Sequence, residues 1–369
     1  MEYVNLGDVA TYINGYAFKP EQRGKKGLPI IRIQDLNGNS HDLGFFDGEY
    51  PEQVEINTGD ILISWSGSLG VYKWNKGKAL LNQHIFKVLF NKIEIDKEYF
   101  CYAIRNSLSS MSQQTHGATM KHITKKDFDN ISIPYPDLNE QKKIANNLNI
   151  VNKLIMFYEK ELILFEQMVK ARFIEMFRDE KHRMLMSEVC SIITDGTHQP
   201  PKFKREGIPF IFVSNIAEDR LTYNAEKFID QETYDELIKR TPIEIGDVLL
   251  STVGSYGHPA VVKSGKKFLF QRHIAYLKPR REIVDSEFLH GAILSSDVQE
   301  QIEKAVKGIA QKTLNLSEIK KMVIPVPTID RQKKFTNFVQ HVDKSREEVK
   351  KSLEKTQQLY DSLMQEYFG

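Results

Sequence analysis

Clusters of lysine and arginine recur at matched places in the two halves of this 369-residue chain. One pair of clusters precedes a Gly-x-Pro segment and the other follows a glycine-rich turn: Lys19, Arg23, Lys25 and Lys26 with Lys202, Lys204 and Arg205, and Lys73, Lys76 and Lys78 with Lys263, Lys266 and Lys267. Such side chains neutralise nucleic-acid phosphates and supply most of the affinity that is independent of sequence. A lone basic loop is usually a solvated surface, whereas matched loops in both halves favour phosphate contact. Lys121 and Lys312 form a further matched pair of candidates.

Polar loops beside these clusters supply side chains that can hydrogen-bond to base edges. The candidates are Arg32, Gln34, Ser64, Ser66 and Ser68 in the first half, and Asn215, Ser251, Thr252, Ser255 and Tyr256 in the second. The loops differ between the halves, so one scaffold would suit the recognition of two different targets. Diverged duplicates also drift in their loops, and the sequence leaves both explanations open.

Residues that resemble catalytic or metal-binding motifs have simpler explanations. Asp137 and Glu140 lie at one predicted helix start, where capping accounts for both carboxylates, and the second half replaces both. His84 and His273 have no carboxylate or histidine at metal-ligand spacing, so we interpret each as structural or DNA-facing. No Asp/Asn-Pro-Pro-Tyr/Phe string is present, which argues against base methylation by this chain. We therefore expect no catalytic residue and no metal site.

The composition is that of an ordinary globular protein. The net charge is +2, so any nucleic-acid surface requires local segregation of positive residues. Two cysteines, Cys101 and Cys190, are too few for a disulfide framework or a thiolate metal site. No apolar run approaches the roughly 20 residues that cross a bilayer, and the amino terminus lacks a signal pattern. These features predict a cytoplasmic protein with no membrane contact.

Heptad spacing predicts two long helices, at 137–180 and 328–369. Apolar residues in the first alternate in steps of four and three and form a pairing seam: Ile144, Leu148, Val151, Ile155, Tyr158, Leu162, Phe165 and Val169. A shift of 191 residues carries the seam onto Val339, Val342, Val349 and Leu353. Each helix follows a proline-rich segment, Ile133-Pro134-Tyr135-Pro136 or Ile324-Pro325-Val326-Pro327, because proline is excluded from helix interiors.

The strand and turn patterns before each helix also repeat, which indicates an internal duplication. Gly27-Leu28-Pro29-Ile30 returns as Gly207-Ile208-Pro209-Phe210, and Gly59-Asp60-Ile61-Leu62 returns as Gly246-Asp247-Val248-Leu249. The sequence therefore predicts an α+β fold with two similar mixed α/β domains, each followed by a long helix. The expected boundaries are a first domain at 1–136, its helix at 137–180, a second domain at 181–327 and its helix at 328–369.

The two predicted helices could pair with helices of a second chain or with each other. A heptad seam most often mediates homodimerisation, but here a domain of about 150 residues can return the chain between the two helices. We favour antiparallel pairing within one chain. Such pairing would relate the two domains by an approximate two-fold axis and would act as a ruler between them.

The segments around each helix start resemble the boundary motif of specificity subunits of type I restriction-modification enzymes. The first copy carries it in Gly117-Ala118-Thr119-Met120-Lys121 and Glu140-Gln141-Lys142-Lys143-Ile144-Ala145. The second copy, from Gly308 to Lys334, is weaker, because Asp330-Arg331-Gln332 replaces the more typical Glu-Gln pair. The resemblance covers nearly the whole chain, since domain, helix, domain, helix is the family's plan.

The resemblance implies a non-catalytic subunit in which each target-recognition domain reads one half of a bipartite, asymmetric double-stranded DNA target. The antiparallel helices would set the spacer. Two modification subunits that methylate adenine N6 would dock on the helical region, and restriction subunits that translocate DNA would join them. S-adenosylmethionine, ATP and Mg are implied for those partner subunits only, and no cofactor is expected in this chain.

Two other functions compete with this interpretation. One is a coiled-coil adaptor whose two globular modules bind protein and read no DNA. The other is a self-contained nuclease or methyltransferase, against which the missing motifs argue. Competition with unrelated DNA in a binding assay distinguishes the adaptor from a DNA-reading subunit. An assay of the purified chain for DNA cleavage or methyl transfer tests the second alternative.

Overall fold

Each half of the chain folds into its own compact unit. The computed structural model describes residues 2–39, 42–114, 124–308 and 312–369. The first unit comprises Met1–Phe157 and Ser352–Gly369, and the second comprises Tyr158–Lys351. Each unit therefore contains one globular domain and a part of each long helix.

Short strands and one buried helix build the first domain. The strands are β1 (Tyr3–Asn5), β2 (Thr11–Asn14), β3 (Leu28–Ile31), β4 (Phe45–Phe46), β5 (Glu55–Ile56), β6 (Ile61–Ser64), β7 (Gly70–Lys73), β8 (Ala79–Leu81), β9 (Ile85–Leu89) and β10 (Ser132–Pro134). The helices are α1 (Leu6–Val9), α2 (Ile33–Leu36), α3 (Lys97–Gln114), α4 (Lys125–Asp129) and the first long helix, α5 (Leu138–Phe177). The 3-10 turns are Pro20–Gln22 and Glu52–Val54.

Two sheets and one ladder organise these strands. An antiparallel sheet has the order β2-β9-β6-β7, and a second sheet has the order β4-β3-β8-β5 with β3 and β8 parallel. Strand β1 pairs with β10 just ahead of α5. The apolar face of α3 presents Tyr99, Phe100 and Ile104 to the same core as Ile63 of β6 and Leu148 of α5. Burial of these side chains supplies the main favourable term in folding.

The second unit is built from the same kinds of element. Its strands are β11 (Arg183–Leu185), β12 (Cys190–Asp195), β13 (Ile208–Ile211), β14 (Phe228–Ile229), β15 (Val248–Ser251), β16 (Pro259–Val261), β17 (Leu269–Phe270), β18 (Ile274–Pro279) and β19 (Val323–Pro325). Its helices are α6 (Met186–Val189), α7 (Gln231–Leu237), α8 (Ser286–Ile293), α9 (Ser296–Ala305), α10 (Leu316–Lys321) and the second long helix, α11 (Ile329–Phe368). The 3-10 turns are Val213–Asn215 and Ile238–Arg240.

The second domain repeats the strand order of the first. Sheet β12-β18-β15-β16 matches β2-β9-β6-β7, and β14-β13-β17 matches β4-β3-β8. The parallel pairing recurs between β13 and β17, and the ladder of β11 with β19 matches that of β1 with β10. The predicted α+β architecture of two similar domains, each followed by a long helix, is confirmed.

A buried glutamine ties each domain to the start of its long helix. Each side-chain oxygen accepts from the backbone N–H of an aspartate that precedes a domain helix, and each amide group donates to the carbonyl of the proline before the long helix. The partners are Asp96 and Pro136 for Gln141, at 2.9 and 2.8 Å, and Asp285 and Pro327 for Gln332, both at 2.8 Å. Gln332 also donates to Ile283 at 3.0 Å. The Gln in the repeated helix start therefore has a structural task.

The long helices of one chain contact each other within each unit. In the second unit Arg346 pairs with Glu166 at 2.7 Å, and Arg331, earlier on α11, donates to the carbonyl of Met176, later on α5. The helices therefore run antiparallel, as predicted. In the first unit the start of α5 meets the end of α11, where the side chain of Asn147 donates to Tyr367 OH at 3.2 Å.

The predicted seam faces inward. Its fully buried members are Ile144, Leu148, Val151, Ile155, Val339 and Val342, and its half-buried members include Leu162, Val349 and Leu353. Ile144 and Leu148 share a core with the first domain as well as with the end of α11. The seam therefore serves both the pairing of the helices and the attachment of the domain.

Candidate nucleic-acid interface

In the first unit, three loops meet where β2 ends and β9 begins. Gly15 follows β2 and donates its N–H to the carbonyl of Ile85 at 3.0 Å. A Cβ at Gly15 would lie 2.0 Å from the carbonyl oxygen of Asn82, so this close approach requires glycine. The loop between β6 and β7 reaches the same place, because Trp65 N–H donates to the carbonyl of His84 at 3.2 Å.

Trp65 arranges the side chains at this strand end. Its Nε1–H donates to Asn14 Oδ1 at 3.2 Å, and its ring packs on the His84 ring with centroids 4.9 Å apart. His84 has a φ of 71°, a left-handed conformation that residues other than glycine seldom adopt and that recurs at functional sites. Gln83 is exposed beside it. We call Asn14, Trp65, Gln83 and His84 the first strand end.

The second unit has the matched arrangement at β12 and β18. Gly196 follows β12, and a Cβ there would lie 2.3 Å from the carbonyl oxygen of Phe270. The residue before this glycine is Asp195, where the first unit has asparagine. Its carboxylate accepts from the Arg240 guanidinium at 2.6 Å and contacts His198 Nε2 at 2.8 Å. Arginine, aspartate and histidine therefore form one polar cluster at the surface.

Arg272 and His273 complete this second surface. Arg272 N–H donates to the carbonyl of Thr197 at 3.0 Å, and Thr252 N–H donates to the carbonyl of His273 at 2.9 Å. Burial, followed by the charge of Arg272, lowers the pKa of His273 below its usual value. Its imidazole is therefore neutral at physiological pH, with one donor and one acceptor nitrogen. We call Asp195, His198, Arg240, Arg272 and His273 the second strand end.

The two strand ends share backbone geometry and differ in side-chain chemistry. Two amides, an indole and an imidazole occupy the first, whereas two guanidinium groups, two imidazoles and a carboxylate occupy the second. Sequence reasoning noted only the matched histidines and missed the other residues. The signal was present in the sequence, because Asn14-Gly15 and Asp195-Gly196 lie 181 residues apart, in step with the other repeats.

Several residues predicted to contact bases have their polar groups inside the fold. Ser64 Oγ donates to the carbonyl of Ser68 at 2.5 Å, and Ser251 Oγ accepts from the N–H of His258 at 2.9 Å. Both serines are fully buried at strand ends, whereas Ser68 and Ser255 are exposed at the turns that follow. Other buried candidates are Ser66, Thr252 and Asn215.

Strand β3 separates two groups of candidates in the first unit. Lys25 and Lys26 are exposed before its amino end. Arg32 follows its carboxyl end, where the guanidinium pairs with Asp35 at 3.0 Å and Gln34 is exposed. A strand of four residues spans about 13 Å, so the lysines lie apart from Arg32 along the surface.

Many of the remaining basic candidates have acidic or phenolic partners. Lys73 pairs with Glu98, Lys204 with Asp230 at 3.5 Å, Lys263 with Asp343 at 2.8 Å and Glu287 at 2.9 Å, and Lys312 donates to Tyr256 OH at 3.3 Å. Lys202 and Arg205 are exposed before β13, and Arg23 is half-buried beside Gly44. Lys121 lies outside the described residues.

A second candidate surface lies on α5. Large apolar side chains outside the buried seam are exposed on this helix: Ile150, Leu154, Met156 and Phe157 in the first unit, and Ile163, Leu164, Met168 and Ile174 in the second. We call this set the outer apolar face of α5. Exposed apolar patches of this kind mark sites of protein association.

Two classes of site are absent from the described ranges. They hold no group of three or more histidine, cysteine, aspartate or glutamate side chains placed to bind a metal ion. They also hold no helix with the length and apolar character needed to cross a membrane.

Comparison with known proteins gives one consistent family. The model of the type I restriction modification DNA specificity domain matches residues 1–164 and again 186–358. The chain is 26% identical to the type I restriction enzyme EcoBI specificity subunit of Escherichia coli, across 99% of this chain and 85% of that protein. It is 21% identical to the MjaVIII specificity subunit of Methanocaldococcus jannaschii, across 97% and 91%. The crystal structure of a type I S subunit from M. genitalium has the same fold, with a TM-score of 0.58, 16% identity and coverage of 100% and 96%.

Proposed function

This chain belongs to the type I restriction-modification DNA specificity family, and from that premise we propose that each of its domains reads one half of a bipartite DNA target. The observation that carries the proposal is the duplication itself. One backbone arrangement is used twice and presents two different sets of polar side chains. A single chain so built suits an asymmetric target with two unlike halves.

We assign base reading to the two strand ends. The amide of Asn14 suits the donor and acceptor pair of adenine, and the guanidinium of Arg272 suits the paired acceptors of guanine. Ser68 and Ser255 lie on the turns that follow β6 and β15 and extend the two surfaces. The buried serines Ser64 and Ser251 act indirectly, because their hydrogen bonds hold those turns.

Phosphate contact is assigned to the exposed cations outside the strand ends. Lys25 and Lys26 precede β3, and Lys202 and Arg205 occupy the matched place before β13. Contacts of this kind fix the position of a protein on the duplex and carry no sequence information. The four cations therefore supply affinity, and the strand ends supply selectivity.

The long helices are assigned two tasks, the spacer and the docking of partners. Each has 40 residues, which corresponds to a rod of about 60 Å. Two modification subunits would dock on the outer apolar face of α5, because that face is exposed and apolar along the helix. Methyl transfer and cleavage would belong to the partner subunits, together with S-adenosylmethionine, ATP and Mg, and this chain would be non-catalytic.

Selection from a random DNA library tests the recognition of a bipartite target. The chain, assembled with its modification subunits, is mixed with duplexes of random sequence in excess unrelated DNA, and the bound fraction is sequenced. The expected result is one motif with two different halves at a fixed separation. A coiled-coil adaptor would enrich no motif, and that result would overturn the proposal.

Docking is tested on the outer apolar face. Leu164→Glu places a charge there, and we expect it to weaken retention of the modification subunit at least about tenfold, as at an interface hot spot. Gln358→Glu adds the same charge at an exposed polar position of α11, outside this face, and is the matched control. Equal retention by both variants would exclude this face as the docking site.

A further inference from the structure

An ion-pair cluster holds the second domain to α11. Asp343 of α11 accepts from Lys263 at 2.8 Å and from Arg220 at 3.1 Å. Lys263 also pairs with Glu287 of α8 at 2.9 Å. Two loops of the domain therefore contact one carboxylate of the long helix, and Lys263 links that carboxylate to α8.

The internal duplication shows which part of this connection the two copies share. A lysine also pairs with the matched glutamate of the first domain, since Glu98 corresponds to Glu287, but its lysine, Lys73, corresponds in strand register to Val261 and lies two positions before the match of Lys263. The position that matches Asp343, 191 residues earlier on α5, is Asn152. Among the described residues, a lysine paired with the domain helix is thus common to both copies, and the charged link from the domain to the long helix is found in the second copy.

The electrostatics of Asp343 favour the pair. Burial opposes ionisation of this carboxyl, but Lys263 and Arg220 outweigh it and hold the pKa below its usual range. The next turn of α11 carries Arg346, which pairs with Glu166 of α5 at 2.7 Å. The same stretch of α11 is therefore tied to the domain on one side and to the partner helix on the other.

A cavity of about 660 Å³ lies beside the cluster, between the second domain and the long helices. Apolar side chains line it, among them Phe165, Val169, Leu221 and Val339. The domain is thus held by close packing near Phe335 and by the ion pairs near Asp343, with open space between. Loss of the ion pairs would leave the domain free to tilt into that space.

We propose that Asp343 is a positioning residue that fixes the angle of the second domain on the long helices, and through it the spacing at which the second half-site is read. This inference rests on the proposed function, because it needs a bipartite DNA target. Lys263 then serves as an anchor of the domain and contributes little to phosphate binding.

Whether Asp343 holds the second domain on α11 is tested without DNA. Amide hydrogen exchange is measured on the full chain for the segments 219–223 and 261–264, in the wild type, Asp343→Asn and Glu354→Gln. Glu354 is exposed on the same helix, so its variant loses the same charge. We expect exchange in both segments to rise at least about fivefold in Asp343→Asn only, as for loss of a partly exposed ion pair. Unchanged exchange would overturn the proposal.

The effect of Asp343 on DNA recognition is tested with duplexes that carry the two half-sites found by the library selection. The half-sites are placed at the spacing found there, or with one base pair more or fewer between them. We expect Asp343→Asn and Lys263→Met to lower the preference for the selected spacing at least about fivefold, and Lys263→Arg to retain it. Equal losses of affinity at all three spacings would overturn the positioning role. A wild-type chain with no spacing preference would instead refute the bipartite target itself, whatever the exchange experiment gives.

Discussion

At the scale of residues, exposed charge and paired charge have different consequences for DNA binding. Lys25 and Lys26 are exposed, so we expect their replacement by alanine to weaken binding to all sequences and to reduce the slope of log affinity against log salt by about 2. Lys73→Ala is the comparison, because Lys73 already pairs with Glu98 and its loss should change the slope less. Titrations from 50 to 200 mM salt measure these slopes. If the double variant keeps the wild-type slope, neither lysine contacts a phosphate.

Asp247 makes the stability of the second unit depend on pH. Its buried carboxylate accepts from Tyr276 OH at 2.7 Å, and burial raises its pKa above the usual value. A raised folded pKa means that stability is present below the unfolded pKa of about 3.9 and is lost as pH rises through the folded pKa. Asp247→Asn should therefore flatten the fall of the thermal midpoint as the pH rises above about 4. Asp60→Asn, at the matched position of the first unit, is the control, and an unflattened profile in Asp247→Asn would contradict the assignment.

Residue roles were the least predictable part of the chain. The sequence marks Lys263 and Lys25 alike as basic loop residues, but the structure pairs Lys263 with Asp343 and leaves Lys25 exposed. Ser64 and Ser251 look accessible in their glycine-rich context and are buried. The pairing of Lys263 depends on a residue 80 positions away, which local patterns do not encode.

At the scale of elements, the repeated glutamines are the joints between domain and helix. Gln332→Leu leaves three backbone groups without partners in the core, and Gln141→Leu leaves two. Each unpaired buried group costs about 1–3 kcal/mol, so we expect both variants to lower the unfolding midpoint, Gln332→Leu by more. Gln357→Leu, on the exposed face of α11, is the control. Midpoints equal to the control would show that the joints are dispensable.

The positions of the long helices were predictable from the sequence. Heptad spacing and flanking prolines placed α5 and α11 within a few residues, because both signals are local. Strand β9 begins at Ile85, directly after His84, which adopts a left-handed φ. The heptad pattern predicted one seam on each helix and did not reveal the outer apolar face of α5. Which apolar side chains of α5 are exposed depends on the side that α11 and the domains cover.

At the scale of the whole molecule, the duplication in the sequence predicted the architecture, and we propose that the residues that differ between the copies give each domain its own DNA target. Matched strand order shows that both domains inherit one scaffold. The unlike strand ends, and the charged link of Asp343 in the second unit, show where the copies have separated. The family assignment follows from two matches to the same domain model, at 1–164 and 186–358.

The central claim is that one chain carries two unlike readers for a single DNA target. Mapping of methylated adenines in a host that carries the intact gene cluster tests it most directly, with a host that lacks only this chain as the control. The account predicts methylation at one bipartite motif, with two different halves and a fixed number of unspecified base pairs between them, and none in the control. Methylation at an uninterrupted motif, or methylation that persists without this chain, would contradict it.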